Sequence, residues 1–299
     1  MEDPAPAPVL LTRRHLLVAG GAGLLVATSG LLTACSDPDP DDSDPDGGAL
    51  TLYKVFQLEQ PVGTRLRLPL ALAAGDGSLD LDRPPGEITV RLRGPAGTSS
   101  AATTVRRRDT GIPRGYYPVF VELSTAGAWT LEVEAAGQAL RATVDAHQPT
   151  ELAFVTGVGE PLPRIPTPTP SNALGVTPIC TRDPACPFHA TSLDAALDLG
   201  RPIVLLVSTP AHCQTAICGP VLDLLTRRRE ALERAGVSVI HAEVYTDDSV
   251  QTTTSTVDAL GLTFEPSLFV ADGAGIVQAR LDYTFDATEL DDTLAPLIG

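Results

Sequence analysis

Basic side chains are scarce in this sequence of 299 residues. Lysine occurs once, at Lys54, and 21 lysines and arginines stand against 37 aspartates and glutamates, which gives a formal net charge of −16. Nucleic acids are bound through positive charge, so no nucleic-acid partner is expected. The negative charge also repels anionic lipid headgroups, and attachment to a membrane would therefore need a separate anchor.

Cysteine is also rare, and its five positions leave residues 36–179 without any. A domain in that region therefore has no disulfide between its sheets. The segment 36–48 lacks apolar residues and is rich in aspartate and proline, which predicts a disordered acidic tether. Residues 42–47 match the start of a calcium loop, but Tyr53 stands where the bidentate glutamate is required, so the tether is favoured.

Residues 1–35 are interpreted as an export signal. Arg13 and Arg14 precede an apolar stretch, Leu16 to Ala34, and this arrangement resembles a twin-arginine signal. The stretch ends in a Leu-Thr-Ala-Cys sequence at Cys35, which resembles a bacterial lipobox. The resemblance implies export and a lipid anchor on Cys35, at the outer face of the bacterial cytoplasmic membrane. General secretory export and a retained transmembrane helix are the alternatives.

Residues 49–146 have the pattern of an all-β domain. Short apolar or β-branched runs recur, separated by glycine and proline turns, at 50–56, 65–72, 87–93, 101–107, 117–123, 129–134 and 140–144. Seven such strands predict an immunoglobulin-like sandwich, and residues 127–133 resemble a late strand of bacterial immunoglobulin-like domains. In that strand Trp129, Leu131 and Val133 are expected to point inward.

The remainder is predicted to be a proline-rich linker, 147–178, followed by an α/β domain, 179–299. The apolar run Ile203–Val207 predicts a buried strand, and helical spacing after Pro220 predicts a helix. Cys213 and Cys218 lie between them. A thiol at the start of a helix faces unpaired N–H groups and the positive end of the helix dipole, and both favour the reactive thiolate.

This order of strand, cysteine pair and helix, with Phe264-Glu265-Pro266 before a later strand, resembles the thioredoxin-like superfamily over about residues 176–299. The cysteines form a C-x4-C variant of the usual C-x-x-C pair. The resemblance implies a thioredoxin-like fold with a cis-proline at Pro266.

The same resemblance implies a thiol–disulfide oxidoreductase in which Cys213 attacks and Cys218 resolves. Protein thiols or disulfides would be the partners, no cofactor is expected, and the electron donor is not indicated. The groove for the client would be lined by His212, Glu265 and Pro266.

The five-residue separation of Cys213 and Cys218 has a geometric consequence. On a continuous helix such residues are about 7.5 Å apart along the axis, whereas a disulfide needs Cα atoms within about 7 Å. Pro220 also weakens the first helical turn. The spacing therefore predicts a switch between a helical dithiol and a partly unwound disulfide.

Lipidation of Cys35 would leave four cysteines, an even number that suits an oxidising exterior. Of the three possible pairings, proximity favours a structural Cys180–Cys186 disulfide beside the Cys213–Cys218 pair. The alternative is a metal site, since copper-delivery proteins with this fold combine cysteine and histidine. Its ligands would be Cys180, Cys186, His189, His212 and Cys213, but the spacings match no zinc pattern, and no metal is expected.

Two other functions stay open. Some peroxiredoxins pair cysteines five apart after a Thr-Pro-Gly-Cys turn, which Thr209–Cys213 resembles with one extra residue, so a two-cysteine peroxidase is the second enzymatic interpretation. The third is a non-enzymatic binding or scaffold lipoprotein with a stabilising disulfide.

Overall fold

The structure is a computed structural model that describes residues 48–79 and 81–298. The predicted export signal, the predicted lipidation site Cys35 and nearly all of the predicted acidic tether lie outside these ranges. Among the described residues, no helix combines the length and the apolar character that crossing a membrane requires.

The N-terminal part consists of strands, with single turns of 3-10 helix. Its strands are β1 (Leu50–Lys54), β2 (Glu59–Pro61), β3 (Gly63–Ala74), β4 (Glu87–Arg93), β5 (Thr103–Arg106), β6 (Tyr117–Leu123), β7 (Gly127–Ala135) and β8 (Gln138–His147). One sheet has the order β1-β3-β6, and the other has the order β2-β8-β7-β4-β5. The prediction of an all-β domain is confirmed, with β2 as an addition.

The alternating pattern of β7 shows why these residues form a sandwich. Trp129, Leu131 and Val133 are buried, whereas the residues between them are partly exposed. They pack against residues of the facing sheet, such as Leu68 and Leu70. One face of each sheet therefore supplies the core, which suits a strand with a period of two.

The C-terminal part alternates helices and strands. Its elements are α1 (Leu193–Asp198), β9 (Ile203–Val207), α2 (Cys218–Arg227), α3 (Arg229–Arg234), β10 (Ser238–Ala242), α4 (Ser255–Leu260), β11 (Ser267–Ala271), β12 (Val277–Asp282) and α5 (Ala287–Ile298). They form a mixed sheet of order β10-β9-β11-β12, in which β9 pairs parallel to β10 and antiparallel to β11, and β11 and β12 form a hairpin.

Both faces of this sheet are covered. Val204 and Leu206 point to the side of α2, α3 and α5, where Leu222 and Leu290 pack. Ile203, Leu205 and Val207 point to the side of α1 and α4. All five residues of β9 are fully buried, as the continuous apolar run predicts for a strand enclosed on both faces.

The proline-rich segment 147–178 is bonded to the α/β part. Leu162 is buried in its core, and the N–H groups of Gly159 and Leu162 donate to the carbonyls of Val277 and Gly275 at 2.8 and 2.9 Å. The segment therefore covers the α/β layer as well as connecting the two parts.

A buried ion pair joins the sandwich to the α/β part, and residues 47–299 form one compact unit. Arg67 of β3 donates to both carboxylate oxygens of Glu289 in α5 at 2.7 Å, and to the carbonyl of Asp282 at 3.0 Å. The hydroxyl of Tyr116 also donates to Glu289. Removing one partner of such a buried pair would leave an unpaired charge between the two parts, which is strongly destabilising.

Candidate functional site

Cys213 lies in the turn that follows β9, and Cys218 is the first residue after that turn. The chain leaves β9 at Val207 and enters α2 only at Cys218, and Ala216 has a φ of 56°, which is incompatible with a continuous helix. Pro220 is the third helical residue, where no N–H bond within the helix is lost. Cys213 is therefore outside the helix while both thiols are free, and the predicted helical dithiol is wrong.

The two thiols are close together but differ in exposure. Cys213 is half-buried, and Cys218 is fully buried. The Cys218 N–H donates to the sulfur of Cys213 at 3.3 Å, and the Thr215 hydroxyl lies 3.3 Å from the same sulfur. Together these contacts give the accessible sulfur several hydrogen-bond donors.

This difference in surroundings separates the acidities of the two thiols. Hydrogen bonds from the Cys218 thiol, the Thr215 hydroxyl and the backbone lower the pKa of Cys213 from 9.0 to about 5, against the opposing effect of partial burial. Burial, followed by the hydrogen bond to Cys213, raises the pKa of Cys218. At neutral pH the accessible sulfur is thus a thiolate and the buried one a thiol.

Glu265 and Pro266 lie opposite the cysteines, immediately before β11. The Glu265–Pro266 peptide bond is cis, as the resemblance implied. One carboxylate oxygen of Glu265 and the two sulfurs all lie within 4.8 Å of one another. Burial, and then the negative charge of Cys213, raise the pKa of the Glu265 carboxyl.

His212 is placed differently from the prediction for the groove. Its Nε2 lies 2.9 Å from Oδ1 of Asp248, and its ring packs edge-on against Tyr245. No described contact joins His212 to either sulfur. Its imidazole faces the 245–248 loop, so the proposed groove next to the cysteines consists of Glu265 and Pro266.

Cys180 and Cys186 lie in the loop before α1, and both are buried free thiols in the structure. Their sulfurs meet His189, one of the candidate metal ligands, and His241, which the candidate set lacks. The other two histidine and cysteine candidates, His212 and Cys213, are not in this group. A Cys180–Cys186 disulfide remains a prediction.

The sequence contained a signal for His241 and for the buried acid Glu243. Both are polar residues at alternating positions in and just after β10, between the apolar residues Ile240, Ala242 and Val244, so they share one face. That face carries Val239 and is directed to the core that contains Cys180 and Cys186. Two polar side chains on a buried face indicate partners across the fold.

Comparisons with known proteins add little. No protein family and no curated protein matches the chain. Among solved structures, the filamin domain of Lin-41 is 17% identical and covers 33% of this chain and 92% of its own, with a TM-score of 0.24. The sulfur carrier SoxY from Chlorobium limicola f thiosulfatophilum is 15% identical and covers 33% of this chain and 75% of its own, with a TM-score of 0.18. The C-terminal domain of ZirS is 10% identical and covers 41% of this chain and 87% of its own, with a TM-score of 0.22. TM-scores this low carry no inference about this chain.

The pH dependence of alkylation tests the assigned acidities. Because the thiolate is the nucleophile, iodoacetamide should modify Cys213 in the reduced chain at half its maximal rate near the pKa of about 5, well below the ordinary 9.0. Peptide mapping by mass spectrometry measures that rate from pH 4 to 9. Cys218→Ala should move the midpoint upward, because it removes the strongest hydrogen bond to the sulfur.

The control is Cys213→Ser, which should abolish rapid labelling since the other described cysteines are buried. A midpoint above pH 8 in the unsubstituted chain would contradict the assignment.

Proposed function

We propose that this chain is a thiol–disulfide oxidoreductase acting through Cys213 and Cys218. The observation that carries the proposal is the pairing of an accessible thiol of low pKa with a buried thiol of raised pKa, whose sulfurs lie within 4.8 Å. An attacking thiol must be ionised and exposed, whereas a resolving thiol must be near but shielded. The two cysteines meet these different requirements.

The arrangement around the pair supports membership of the thioredoxin-like superfamily as part of the proposal. The parallel strands β9 and β10 precede the β11–β12 hairpin and α5, which is the order that the resemblance implies. The cysteines follow β9, and the cis peptide of Pro266 precedes β11. In the same proposal the N-terminal sandwich is an immunoglobulin-like domain that positions the redox part, to which the Arg67–Glu289 pair attaches it.

The proposed reaction exchanges one disulfide for another. The Cys213 thiolate attacks one sulfur of a client disulfide, and the second client sulfur leaves as a thiolate. Cys218 then loses its proton and attacks the Cys213 sulfur, so the bond to the client breaks. The client gains two electrons, and the cysteine pair loses two as its disulfide forms. The reverse sequence oxidises a client, and reduction potential decides the direction.

Glu265 is suited to accept the proton that Cys218 must lose. The carboxylate is within 4.8 Å of the Cys218 sulfur, and its raised pKa makes it a stronger base than an exposed glutamate. β9 itself carries no acid, because all five of its residues are aliphatic. The base therefore comes from Glu265 in the loop before β11, and not from β9.

The proposal also places the protein outside the bacterial cytoplasmic membrane. An export signal with a lipobox at Cys35 would anchor the chain to the outer face, and the acidic tether 36–48 would separate the folded part from the surface. Its clients are then extracytoplasmic protein thiols or disulfides. An oxidising exterior agrees with a chain that retains an even number of cysteines after lipidation.

Trapping of a mixed disulfide tests the oxidoreductase function. The reduced Cys218→Ser variant of the full chain should form a stable adduct with a peptide disulfide through Cys213, because no second thiol can resolve it. Cys213→Ser should form none. Non-reducing electrophoresis and mass mapping identify the adduct. If Cys213→Ser reduces the peptide as fast as the unsubstituted chain, the proposal is wrong, and consumption of peroxide instead of peptide disulfide would indicate a peroxidase.

The role of Glu265 is tested by separating attack from resolution. Glu265→Gln keeps the size of the side chain but removes the base, so formation of the mixed disulfide should persist while its resolution slows by roughly 10²-fold. Stopped-flow measurement of peptide release gives both rates. Asp248→Asn is the matched control, because that carboxylate contacts His212 instead of the sulfurs. Equal slowing in both variants would remove Glu265 from the mechanism.

The anchor is tested at Cys35. Cys35→Ala should abolish incorporation of a labelled fatty acid and move the chain from the membrane fraction to the soluble extracytoplasmic fraction. Substitution of Cys180 should leave labelling unchanged. Persistent lipid labelling of Cys35→Ala would contradict the proposed anchor.

A further inference from the structure

A second group of sulfur and nitrogen atoms lies apart from the Cys213–Cys218 pair. It consists of Cys180, Cys186 and His189 from the loop before α1, and His241 from β10. Their exposed fractions are 8%, 6%, 5% and 0%, so the group is enclosed by the protein. One ligand atom from each of the four residues lies within 4.8 Å of all the others.

The separations agree with the edges of a tetrahedron around one metal ion. Bonds of about 2.3 Å from zinc to sulfur and about 2.1 Å to nitrogen give edges of about 3.6 Å between sulfur and nitrogen, and about 3.4 Å between nitrogens. His241 Nδ1 lies 3.8 Å from Cys180 Sγ, 3.5 Å from Cys186 Sγ and 3.3 Å from His189 Nε2. His189 Nε2 lies 3.3 Å from Cys186 Sγ.

The contacts of the His241 ring leave the nitrogen that faces the sulfurs free to bind such an ion. His241 Nε2 lies 3.1 Å from the carbonyl oxygen of Ser208, which can only accept, so Nε2 carries the proton and Nδ1 is left unprotonated. The Ser208 hydroxyl is 2.9 Å from the same Nε2. All hydrogen-bond contacts of the His189 ring in the described structure are made through Nε2, since its Nδ1 is buried without a partner.

The sulfur atoms are also arranged as ligands. The Cys186 N–H donates to the sulfur of Cys180 at 3.3 Å, a contact that stabilises a thiolate. Two thiolates in the interior would be costly without compensation, but two thiolates and one divalent cation are neutral together. Four protein ligands fill a tetrahedral shell, so the group has no free position for substrate or water.

We propose that Cys180, Cys186, His189 and His241 bind one zinc ion in a closed, structural site. The ion would join the 180–189 loop to β10, across more than 50 residues of sequence. It would also exclude the predicted Cys180–Cys186 disulfide, because the metal requires both sulfurs as thiolates. This site does not depend on the proposed function, since it shares no residue with the Cys213–Cys218 pair.

Metal content and cobalt spectroscopy test the site. The full chain, purified under reducing conditions, should contain one equivalent of zinc by plasma mass spectrometry. After removal of zinc by a chelator, Co²⁺ should restore one site with the visible bands of a tetrahedral ion and the near-ultraviolet charge-transfer band of thiolate ligands. Cys186→Ser and His241→Gln should weaken binding at least about tenfold and change these bands.

The matched control is the double variant Cys213→Ser/Cys218→Ser, which should keep full metal content and the same cobalt spectrum. Loss of metal from that variant would place the ion at the other cysteine pair and overturn the proposal. A reduced chain that shows no thiolate–cobalt band would also overturn it, without relying on any variant to fold. Protein isolated without reductant or chelator could also contain no metal and have a Cys180–Cys186 disulfide. That result would show that the zinc proposal is wrong and that the disulfide forms.

Discussion

The complete burial of β9 is the constraint on which the α/β part depends. Its neighbours β10 and β11 occupy both edges and helices cover both faces, so the strand can carry no polar side chain. The first polar side chains come where it ends, at Ser208 and Thr209. Ser208 orients His241, and the Thr209 backbone contacts the Cys218 sulfur. Residues at the end of β9, where the apolar run stops, therefore contact both groups that contain cysteines.

The path of the chain after β9 explains why Cys213 and Cys218 differ in exposure and have pKa shifts of opposite direction. Cys213 is in the non-helical turn, where the Cys218 N–H and the Thr215 hydroxyl face its sulfur. Cys218 is the first residue of α2, and its sulfur points into the interior, where ionisation is costly. A continuous helix through both residues would have separated the sulfurs along its axis. Because α2 begins only at Cys218, five residues after Cys213, the two sulfurs lie close together and the Cys213 sulfur stays accessible.

What could be predicted from the sequence was mostly local. β9 was predicted to the residue, because a short apolar run between turn residues allows few alternatives. The Cys213–Cys218–Glu265 group followed from a motif and a proline at a characteristic place. His241 was missed because its cysteine and histidine partners lie more than 50 residues away, in a loop that the His241 N–H bonds through the carbonyl of Phe188. The helical dithiol failed because sequence spacing does not reveal the positive φ of Ala216.

The buried cluster and the reactive pair are separate in chemistry but connected through the backbone. Thr181, next to Cys180, donates through its N–H and hydroxyl to Glu243, and its oxygen accepts the N–H of Ala211 at the start of the cysteine turn. Fixing Cys180 therefore also fixes one end of the turn that carries Cys213. In the proposed function the Cys213–Cys218 pair changes its bonds in each cycle, whereas the loop that supports it does not. Histidine contacts and burial hold one pair of sulfurs in place, and the partial exposure of Cys213 in the turn before α2 leaves the other pair accessible through one sulfur.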